Sequence, residues 1–454
     1  MEERSMKTQF LMAQTWLQCI SCGQTAYLLA ERKFKCPSCD GLFDVMHNFK
    51  LLGKTVDELV VIFDARANPT GAGNTDDPKR KSGVWRFKEW IMPYLPDKHI
   101  VSLGEGNVPI VKAGRHLMDW VGGDIDLHLI LEGLGPTGSF KDFGGTVMMS
   151  VAKAMGIKAV GCASTGDTSA MAAAYAAAAG IKCFVILPKG KVTPVQLAQP
   201  LVHGAMVITL PGSFDDCMEV MQELVRDYGA FPANSLNSTR IEGHQATVFL
   251  TVQYFGWKLP DWFAVPIGNG SNSSSVGKAL RLLTEFGMPN YTKILGCQSR
   301  AANPLAKSWG SVRLGNFGAH ANFLNQWRNL YQKVEVGETT ATAARIGDPV
   351  SRNKVMREIV NSEGAMQVAE EEDLNEAVAI CGKDGYFVCP QTGIALAGVR
   401  NAVRKGWIKK GERVVVVSTA TGLKFTDSAA ANLEKNIINA GNCKPETVAK
   451  ILGL

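Results

Sequence analysis

The chain has 454 residues, of which 46% are hydrophobic and 20% are charged, and its formal net charge is +6 at pH 7. This length supports two or three domains with large cores. The small positive charge does not by itself indicate a nucleic-acid partner, although it favours an anionic substrate. The apolar stretch at 170–181 is too short to span a bilayer, and the charged residues 1–9 lack the apolar core of a secretory signal. We therefore expect a cytoplasmic protein.

The first motif along the chain is a pair of Cys-x-x-Cys sequences formed by Cys19, Cys22, Cys36 and Cys39. A short hairpin between them, with arms at 27–30 and 33–35, would bring four thiolates to the corners of a tetrahedron, as structural zinc prefers. Iron or a degenerate ribbon without metal is the alternative. Because cysteine fills all four positions, no site stays open for catalysis. Eleven cysteines in a chain of this size fit reduced thiols plus one metal site.

A helix is predicted at 55–64, and from about residue 101 strands alternate with helices. The strand-like runs lie at 158–162, 182–187 and 206–209, and the helical runs between and after them lie at 169–179, 194–203 and 214–228. Further strand-like runs lie at 262–267, 293–298 and 413–418. Such alternation predicts parallel, doubly wound sheets.

A lysine at the start of a predicted helix follows a turn rich in small residues. Lys141 comes after the turn at 135–138 and lies between Phe140 and Phe143. These apolar rings would lower the pKa of the amine, as a lysine that forms a Schiff base requires. The alternative is a solvated lysine at a helix start, since short motifs produce false positives.

The apolar run at 262–267 leads into a loop of glycine, asparagine and serine and then into a helical pattern. Such a loop presents backbone N–H groups at a helix N-terminus, where the helix dipole also favours an anion. We therefore predict a phosphate cradle formed by Gly268, Asn269, Gly270, Ser271 and Asn272. An ordinary strand-to-helix turn is the alternative.

Four consecutive valines at 414–417 predict a fully buried parallel strand. Ser418 and Thr419 follow at the end of that strand, where open α/β sheets place ligand groups. A neutral hydroxyl there can pair with an aromatic ring nitrogen without protonating it. Strand termination is the competing explanation for both residues.

Together these segments resemble the fold-type II pyridoxal-phosphate enzymes and, within them, the threonine synthases of the plant-type branch. Matching segments occur in the same order at 82–90, 104–106, 132–145, 161–170, 233–243, 346–350, 389–393 and 418–425. The resemblance implies an α/β fold of the tryptophan synthase beta type, with two doubly wound open-sheet domains, the cofactor in their cleft and a small N-terminal zinc ribbon. The implied division is 1–45 for the ribbon, 46–100 for an N-terminal extension, 101–150 with 236–454 for the large cofactor-binding domain, and 151–235 for a small inserted domain.

The resemblance also implies roles for individual residues. Lys141 would hold pyridoxal 5'-phosphate as a Schiff base and then act as the mobile base. The loop at 268–272 would bind the cofactor phosphate, Thr419 would pair with the pyridine nitrogen, and Asp167 would face the ring hydroxyl. Substrate carboxylate or phosphate would be bound by Ser164, Thr165 and Thr168, and the substrate phosphate by Asn234, Ser235 and Arg240. His244 is expected to be a packing residue.

Three positions depart from the family pattern, with Val108 where threonine is common, Ser271 where glycine is usual and Thr421 where histidine is usual. Val108 and Thr421 are expected near the substrate and therefore bear on its identity. Ser271 still offers its backbone N–H, so the cradle is less affected.

The implied activity converts O-phospho-L-homoserine and water to L-threonine and phosphate, with phosphate leaving from Cγ and water adding at Cβ. The near alternative is a β-replacement enzyme acting on O-phosphoserine, such as a cysteate synthase. A non-catalytic homologue acting through its zinc ribbon is the alternative from another class. We expect a small anionic amino-acid substrate, no nucleic-acid or membrane partner, and a possible homodimer.

Overall fold

The structure is a computed structural model and describes residues 13–68, 77–164, 166–189, 194–212, 214–314, 326–426, 437–442 and 444–454. The strands are Thr15–Cys19 (β1), Thr25–Tyr27 (β2), Phe43–His47 (β3), Ile110–Lys112 (β4), Asp126–Leu131 (β5), Ala159–Ala163 (β6), Lys182–Pro188 (β7), Met206–Leu210 (β8), Phe231–Pro232 (β9), Trp262–Pro266 (β10), Lys293–Ser299 (β11), Ala365–Ala369 (β12) and Arg413–Ser418 (β13).

The helices follow the predicted alternation. They are Val56–Ala67 (α1), Pro78–Lys81 (α2), Lys88–Ile91 (α3), Arg115–Val121 (α4), Lys141–Ala154 (α5), Asp167–Ala179 (α6), Pro194–Val202 (α7), Phe214–Asp227 (α8), Thr239–His244 (α9), Ala246–Tyr254 (α10), Ser271–Glu285 (α11), Pro304–Leu314 (α12), Arg352–Asn361 (α13), Glu371–Lys383 (α14), Pro390–Arg404 (α15) and Pro445–Leu452 (α16). No helix in the described ranges is both long and apolar enough to cross a membrane.

The largest sheet has six strands in the order β12-β11-β10-β13-β5-β4. Its strands pair in parallel except for β4, which is antiparallel to β5. Val415 and Val417 of β13 pack in one hydrophobic core, whereas Val414 and Val416 pack in a second core on the opposite face. Because successive side chains of a strand point to opposite faces, both faces of this sheet are covered, as the valine run predicts.

A second sheet has four parallel strands in the order β8-β7-β6-β9. Its chain segment lies between β5 and β10 of the six-stranded sheet. Helix α5 contributes to the cores of both sheets, since Phe143 and Val147 pack with β13 while Met148 and Met149 pack with β6 and β7. The residue that begins this helix, Lys141, therefore lies where the two packed bodies meet.

The N-terminal ribbon forms a three-stranded antiparallel sheet in the order β2-β1-β3. The hairpin predicted between 27–30 and 33–35 is wrong. Strand β2 pairs with β1 across the first Cys-x-x-Cys turn, where Cys19 N–H donates to the Gln24 carbonyl at 2.8 Å. The second Cys-x-x-Cys turn is closed by a bridge between Lys35 and Leu42. Each cysteine pair thus lies in its own turn, and the segment between them needs no hairpin.

A buried ion cluster attaches the ribbon to the six-stranded sheet's helices. Asp44 of β3 forms ion pairs with two residues of α13. Its Oδ1 lies 2.9 Å from Lys354 Nζ, and its Oδ2 lies 2.8 Å from Arg357 Nη2. Lys278 of α11 pairs with Glu242 of α9 and donates to a carbonyl of β3. The ribbon is therefore bound directly to α13 and α11, and through Lys278 it is linked to α9. Helices α9 and α11 begin near the candidate site.

Candidate active site

A cavity of about 840 Å³ opens beside the start of α5. Segments around Lys141, Asp167, Gly270, Ala343 and Thr421 line it, so both sheets contribute to its wall. The segments after β10 and β13 enter it from the carboxyl ends of parallel strands, which is where open α/β sheets place ligands.

Most of the predicted site residues meet in this cavity. Its wall includes Lys141, Ser164, Asp167, Thr168, Ser235, Gly268, Asn269, Gly270, Ser271, Asn272 and Thr419. Asn234 precedes the wall residue Ser235 in the sequence, and the charge of Arg240 acts on Lys141. Neither Asn234 nor Arg240 lines the cavity itself. Thr165 lies outside the described residues.

Lys141 occupies an apolar setting at the first residue of α5. Its Nζ lies 3.5 Å from the centroid of the Phe140 ring. Burial, followed by the positive charge of Arg240, lowers the pKa of the Lys141 amine to about 7. A large fraction of this amine is thus neutral at neutral pH, and it can attack a carbonyl carbon or accept a proton.

Backbone pairing fixes the turn before Lys141 against the end of β13. Phe140 N–H donates to the Thr419 carbonyl at 2.7 Å, and Thr421 N–H donates to the Gly138 carbonyl at 3.1 Å. Gly138 has φ +80°, a left-handed conformation that favours glycine. The lysine and the hydroxyl of Thr419 are therefore held together by the main chain.

The loop before α11 has the features of an anion cradle. Gly270 caps the helix with φ +85°, and a Cβ there would lie 2.4 Å from Val355 Cγ2, so glycine is required. Asn272, with 4% of its surface exposed, has no hydrogen-bond partner for either amide atom within the part of the chain that the structure describes. A buried orphaned amide at a helix N-terminus fits a ligand rich in oxygen atoms, such as the phosphate of pyridoxal phosphate.

The two hydroxyl residues at the end of β13 have different surroundings. Thr419 lines the cavity, and its Oγ1 lies 3.5 Å from Cys389 Sγ. Ser418 is buried with its Oγ 3.2 Å from Thr392 Oγ1. Thr419 is therefore the hydroxyl available to a ligand in the cavity.

Arg240 is fully buried behind the wall. Its Nη1 donates to the Ala233 carbonyl at 3.1 Å, while Nε and Nη2 have no partner among the described residues. Burial lowers its pKa to about 10, so it stays charged at neutral pH. Asn234 donates to the Ala163 carbonyl at 3.2 Å, and its side-chain oxygen accepts no hydrogen bond from the residues that the structure describes. Unsatisfied buried donors and acceptors of this kind favour a polar ligand nearby.

His244 packs as expected. Its ring centroid lies 5.0 Å from that of Phe140, and it is fully buried. Burial, followed by the charges of Arg240 and Lys141, holds its pKa well below the usual range. The imidazole is thus neutral and supports the phenylalanine beside Lys141.

Gln391 and Lys424 are among the wall residues that sequence reasoning missed. Gln391, near the start of α15, is buried, and neither of its amide atoms has a hydrogen-bond partner in the described ranges. Lys424 pairs with Asp167, with 2.9 Å between Nζ and Oδ1. Both residues lie within segments that match the family, 389–393 and 418–425. The signal was therefore present, but nothing in the sequence alone placed these side chains in a cavity.

The four ribbon cysteines come together as predicted. All four sulfur atoms lie within 4.8 Å of one another, and Cys19–Cys39 and Cys22–Cys36 are each separated by 3.5 Å between Sγ atoms. Four sulfurs bound to one zinc ion would lie about 3.8 Å apart. The cluster therefore has the size and donor chemistry of a tetrahedral metal site.

Comparison with known proteins agrees with this geometry. The family described as "Pyridoxal-phosphate dependent enzyme" matches residues 101–420. "Threonine synthase 2, chloroplastic" of Arabidopsis thaliana is 36% identical over 419 residues, covering 91% of this chain and 77% of the relative. The threonine synthase of Methanocaldococcus jannaschii is 34% identical over 422 residues, covering 92% and 95%.

Among solved structures, threonine synthase from Escherichia coli superposes with a TM-score of 0.66 and 18% identity, covering 96% of this chain and 94% of that one. Maize serine racemase superposes with a TM-score of 0.57 and 17% identity, covering 78% and 98%. At these identities the structures support the fold alone. The sequence relatives go further, and the chain belongs to the threonine synthases of the pyridoxal-phosphate-dependent enzyme family.

Proposed function

We propose that this chain converts O-phospho-L-homoserine and water to L-threonine and phosphate. The observation that carries the proposal is the meeting, in one cavity, of a lysine amine with a pKa of about 7 and an anion cradle at a helix N-terminus. Its closely similar relatives are named threonine synthases. Pyridoxal phosphate, when bound, supplies an electron sink that makes proton loss from the substrate's carbon atoms feasible.

We assign four parts of the wall to the cofactor. Lys141 holds it covalently, and the 268–272 loop with the orphaned amide of Asn272 binds its phosphate. Thr419 pairs with its ring nitrogen, and Asp167 faces its ring hydroxyl. In turnover, the neutral amine of Lys141 accepts a proton at Nζ and returns it to a neighbouring carbon.

The substrate is assigned to residues near the start of α6 and in the segment 234–240. Ser164, just before α6, and Thr168, in its first turn, bind the substrate carboxylate or phosphate, and the same role is proposed for Thr165. Asn234, Ser235 and Arg240 bind the phosphate. The unpartnered Nε and Nη2 of Arg240 support this role, since guanidinium donors match phosphate oxygens.

The remaining assignments concern the whole chain. We propose structural zinc at Cys19, Cys22, Cys36 and Cys39, supported by the clustering of their sulfur atoms. We also propose the division 1–45, 46–100, 101–150 with 236–454, and 151–235, supported by the three separate sheets. A cytoplasmic location is supported by the six cysteines of the described ranges that lie outside the ribbon and form no disulfide there, since they fit a reducing compartment.

Separate substrates test the function. The purified protein, loaded with pyridoxal phosphate, is given O-phospho-L-homoserine or O-phospho-L-serine, and released phosphate and product amino acids are measured. We expect equal amounts of phosphate and threonine from the first substrate and little release from the second. Release from O-phosphoserine alone, with a nucleophile added at Cβ, would establish the β-replacement alternative. No release from either would exclude both activities.

A further inference from the structure

Lys424 is a cation of the cavity wall to which the sequence assigned no role. It ends the 3₁₀ turn Gly422–Lys424 after β13. Its Nζ lies 2.9 Å from Asp167 Oδ1 and also donates to the Thr137 carbonyl at 2.9 Å. The two side chains are only 18% and 11% exposed, so the pair is much less screened than a surface pair.

We propose that Lys424 is a positioning residue of this site, and that its ion pair with Asp167 balances the charge that Lys141 experiences. The inference rests on the proposed function, in which Lys141 holds the cofactor and moves protons. Lys424 acts through Asp167 and the turn before Lys141.

The contacts of Lys424 join three segments of the site. Asp167 begins α6, whose first turn also carries Thr168. The Thr137 carbonyl belongs to the turn that precedes Lys141, and it also accepts a hydrogen bond from Gln199 at 3.3 Å. One ammonium group therefore holds the start of α6, the lysine turn and the end of β13 at fixed separations.

Charged and titratable groups face Lys141 from several directions. They are Arg240 and His244 of α9, Asp167 of α6, Glu132 at the end of β5 and Lys424. Arg240 and Lys424 lower the pKa of Lys141, while Asp167 and Glu132 act in the opposite direction. Burial raises the pKa of Glu132 to about 8, and burial keeps His244 neutral.

Lys424 and Asp167 act on the pKa of Lys141 in opposite directions, so their effects offset each other. Removing Lys424 leaves the Asp167 carboxylate uncompensated, and the amine of Lys141 should then hold its proton more tightly. Removing the Asp167 charge leaves Lys424 uncompensated, and the amine should lose its proton more easily. Removing both should restore the original balance. A merely structural role predicts no such reversal of sign.

The test uses the full chain freed of cofactor by dialysis against a carbonyl reagent. The rate at which trinitrobenzenesulfonate modifies Lys141, identified by peptide mass spectrometry, is measured against pH. We expect Lys424→Gln to raise the apparent pKa of Lys141 by about one unit, and Asp167→Asn to lower it by about one unit. The double variant should lie close to the unaltered protein, and Lys424→Arg should keep its value.

Lys410→Gln is the matched control. Lys410 Nζ lies 3.0 Å from Asp124 Oδ2 in an exposed ion pair. This pair is near the start of β13, whereas the cavity is at the other end of that strand. Loss of Lys410 should therefore leave the pKa of Lys141 unchanged. An unchanged pKa in Lys424→Gln, or a double variant that fails to return toward the original value, would overturn the proposal. If Lys424→Gln does not fold, Asp167→Asn decides: a lowered pKa supports the proposal and an unchanged one overturns it.

Turnover of O-phospho-L-homoserine is measured on the loaded proteins in parallel. If the pKa of Lys141 shifts as expected in the variants but the unaltered protein shows no turnover, the proposed function is refuted and the ion-pair assignment stands. Intact turnover without any shift would refute the ion-pair assignment alone.

Discussion

Lys141 combines two properties that a solvated lysine at a helix start lacks. Its amine lies against an aromatic ring, and its pKa is lowered to about 7. The sequence predicted both from the flanking phenylalanines, but only Phe140 contacts the amine, because Phe143 packs into the core behind it.

Lys141→Ala should remove the covalent attachment of the cofactor. We expect no borohydride-fixed adduct, and turnover lower by at least about 100-fold, the lower end of what a positioned base contributes. Lys153→Ala, at the other end of the same helix, is the control and should retain both properties. An adduct that persists in Lys141→Ala would show that another lysine binds the cofactor.

Arg240→Ala tests the assignment of the two phosphates. With the cofactor loop untouched, the visible absorbance of the bound cofactor should stay near that of the unaltered protein. Loss of a desolvated charge pair should reduce transition-state stabilisation by about 2 to 5 kcal/mol. That loss lowers kcat/KM roughly 30- to 4000-fold. A thermal melt checks for misfolding, because Arg240 is fully buried. Loss of the cofactor with unchanged kinetics after reloading would reverse the assignment.

At the scale of elements, the attachment of β3 to α13 depends on buried charge. Burial alone would raise the pKa of Asp44, but Lys354 and Arg357, followed by Lys278 and Arg281, outweigh burial and hold that pKa well below its usual range. The ribbon is thus attached by ion pairs as well as by its apolar strand residues.

Asp44→Asn should destabilise the chain by about 3 to 5 kcal/mol, because it leaves buried cations without their partner. Urea unfolding measures the difference. The control is Asp124→Asn, whose exposed pair with Lys410 should contribute less than about 1 kcal/mol. A loss no larger than that of the control would show that Asp44 is dispensable for attachment.

The contribution of Asp44 to the stability of the fold depends on pH. Since folding lowers the pKa of Asp44, its stabilising contribution is present above the ordinary pKa of about 3.9. That contribution is lost as the pH falls toward the folded value. The stability difference between Asp44→Asn and the unaltered protein should therefore be constant from about pH 7 to 5 and narrow below about pH 4.

The ribbon gives a prediction about metal. We expect one zinc ion per chain in protein purified without chelator, measured by elemental analysis. Cys36→Ser should lose that metal and make residues 15–47 more susceptible to proteolysis, because the metal ion would join the two turns of the ribbon to each other. Cys381→Ser, which changes a core cysteine outside the ribbon, should keep the metal. Equal metal content in both variants would contradict the assignment.

At the scale of the whole molecule, the cavity depends on segments far apart in sequence. Loading the cofactor should therefore slow amide hydrogen exchange together in 137–142, 166–168 and 268–272. At a free concentration 100 times Kd, the cofactor should add about 2.7 kcal/mol to stability. Mass spectrometry of exchanged peptides tests this expectation. Protection confined to 268–272 would mean that the cofactor binds one wall only.

Much of the fold and the site was predictable from the sequence, because local rules determine them. Valine runs and helical periodicity predicted the parallel sheets, and glycine-rich turns predicted the loops at 138 and 268–272 that line the cavity. The Cys-x-x-Cys spacing also predicted a cluster of four sulfur atoms. Each of these features depends on residues close together in the chain.

Only the tertiary structure decided the arrangements that need distant residues. The pairing of β1 with β3, in which Cys19 lies opposite Phe43, joins segments more than 20 positions apart and was not part of the predicted hairpin. Arg240 lies behind the cavity wall and Lys424 on it, since packing sets the depth of a side chain. The ion pairs of Asp167 with Lys424 and of Asp44 with α13 join residues more than 200 positions apart. Local propensity does not encode such contacts. The strength of these ion pairs depends on burial, which only the folded chain provides.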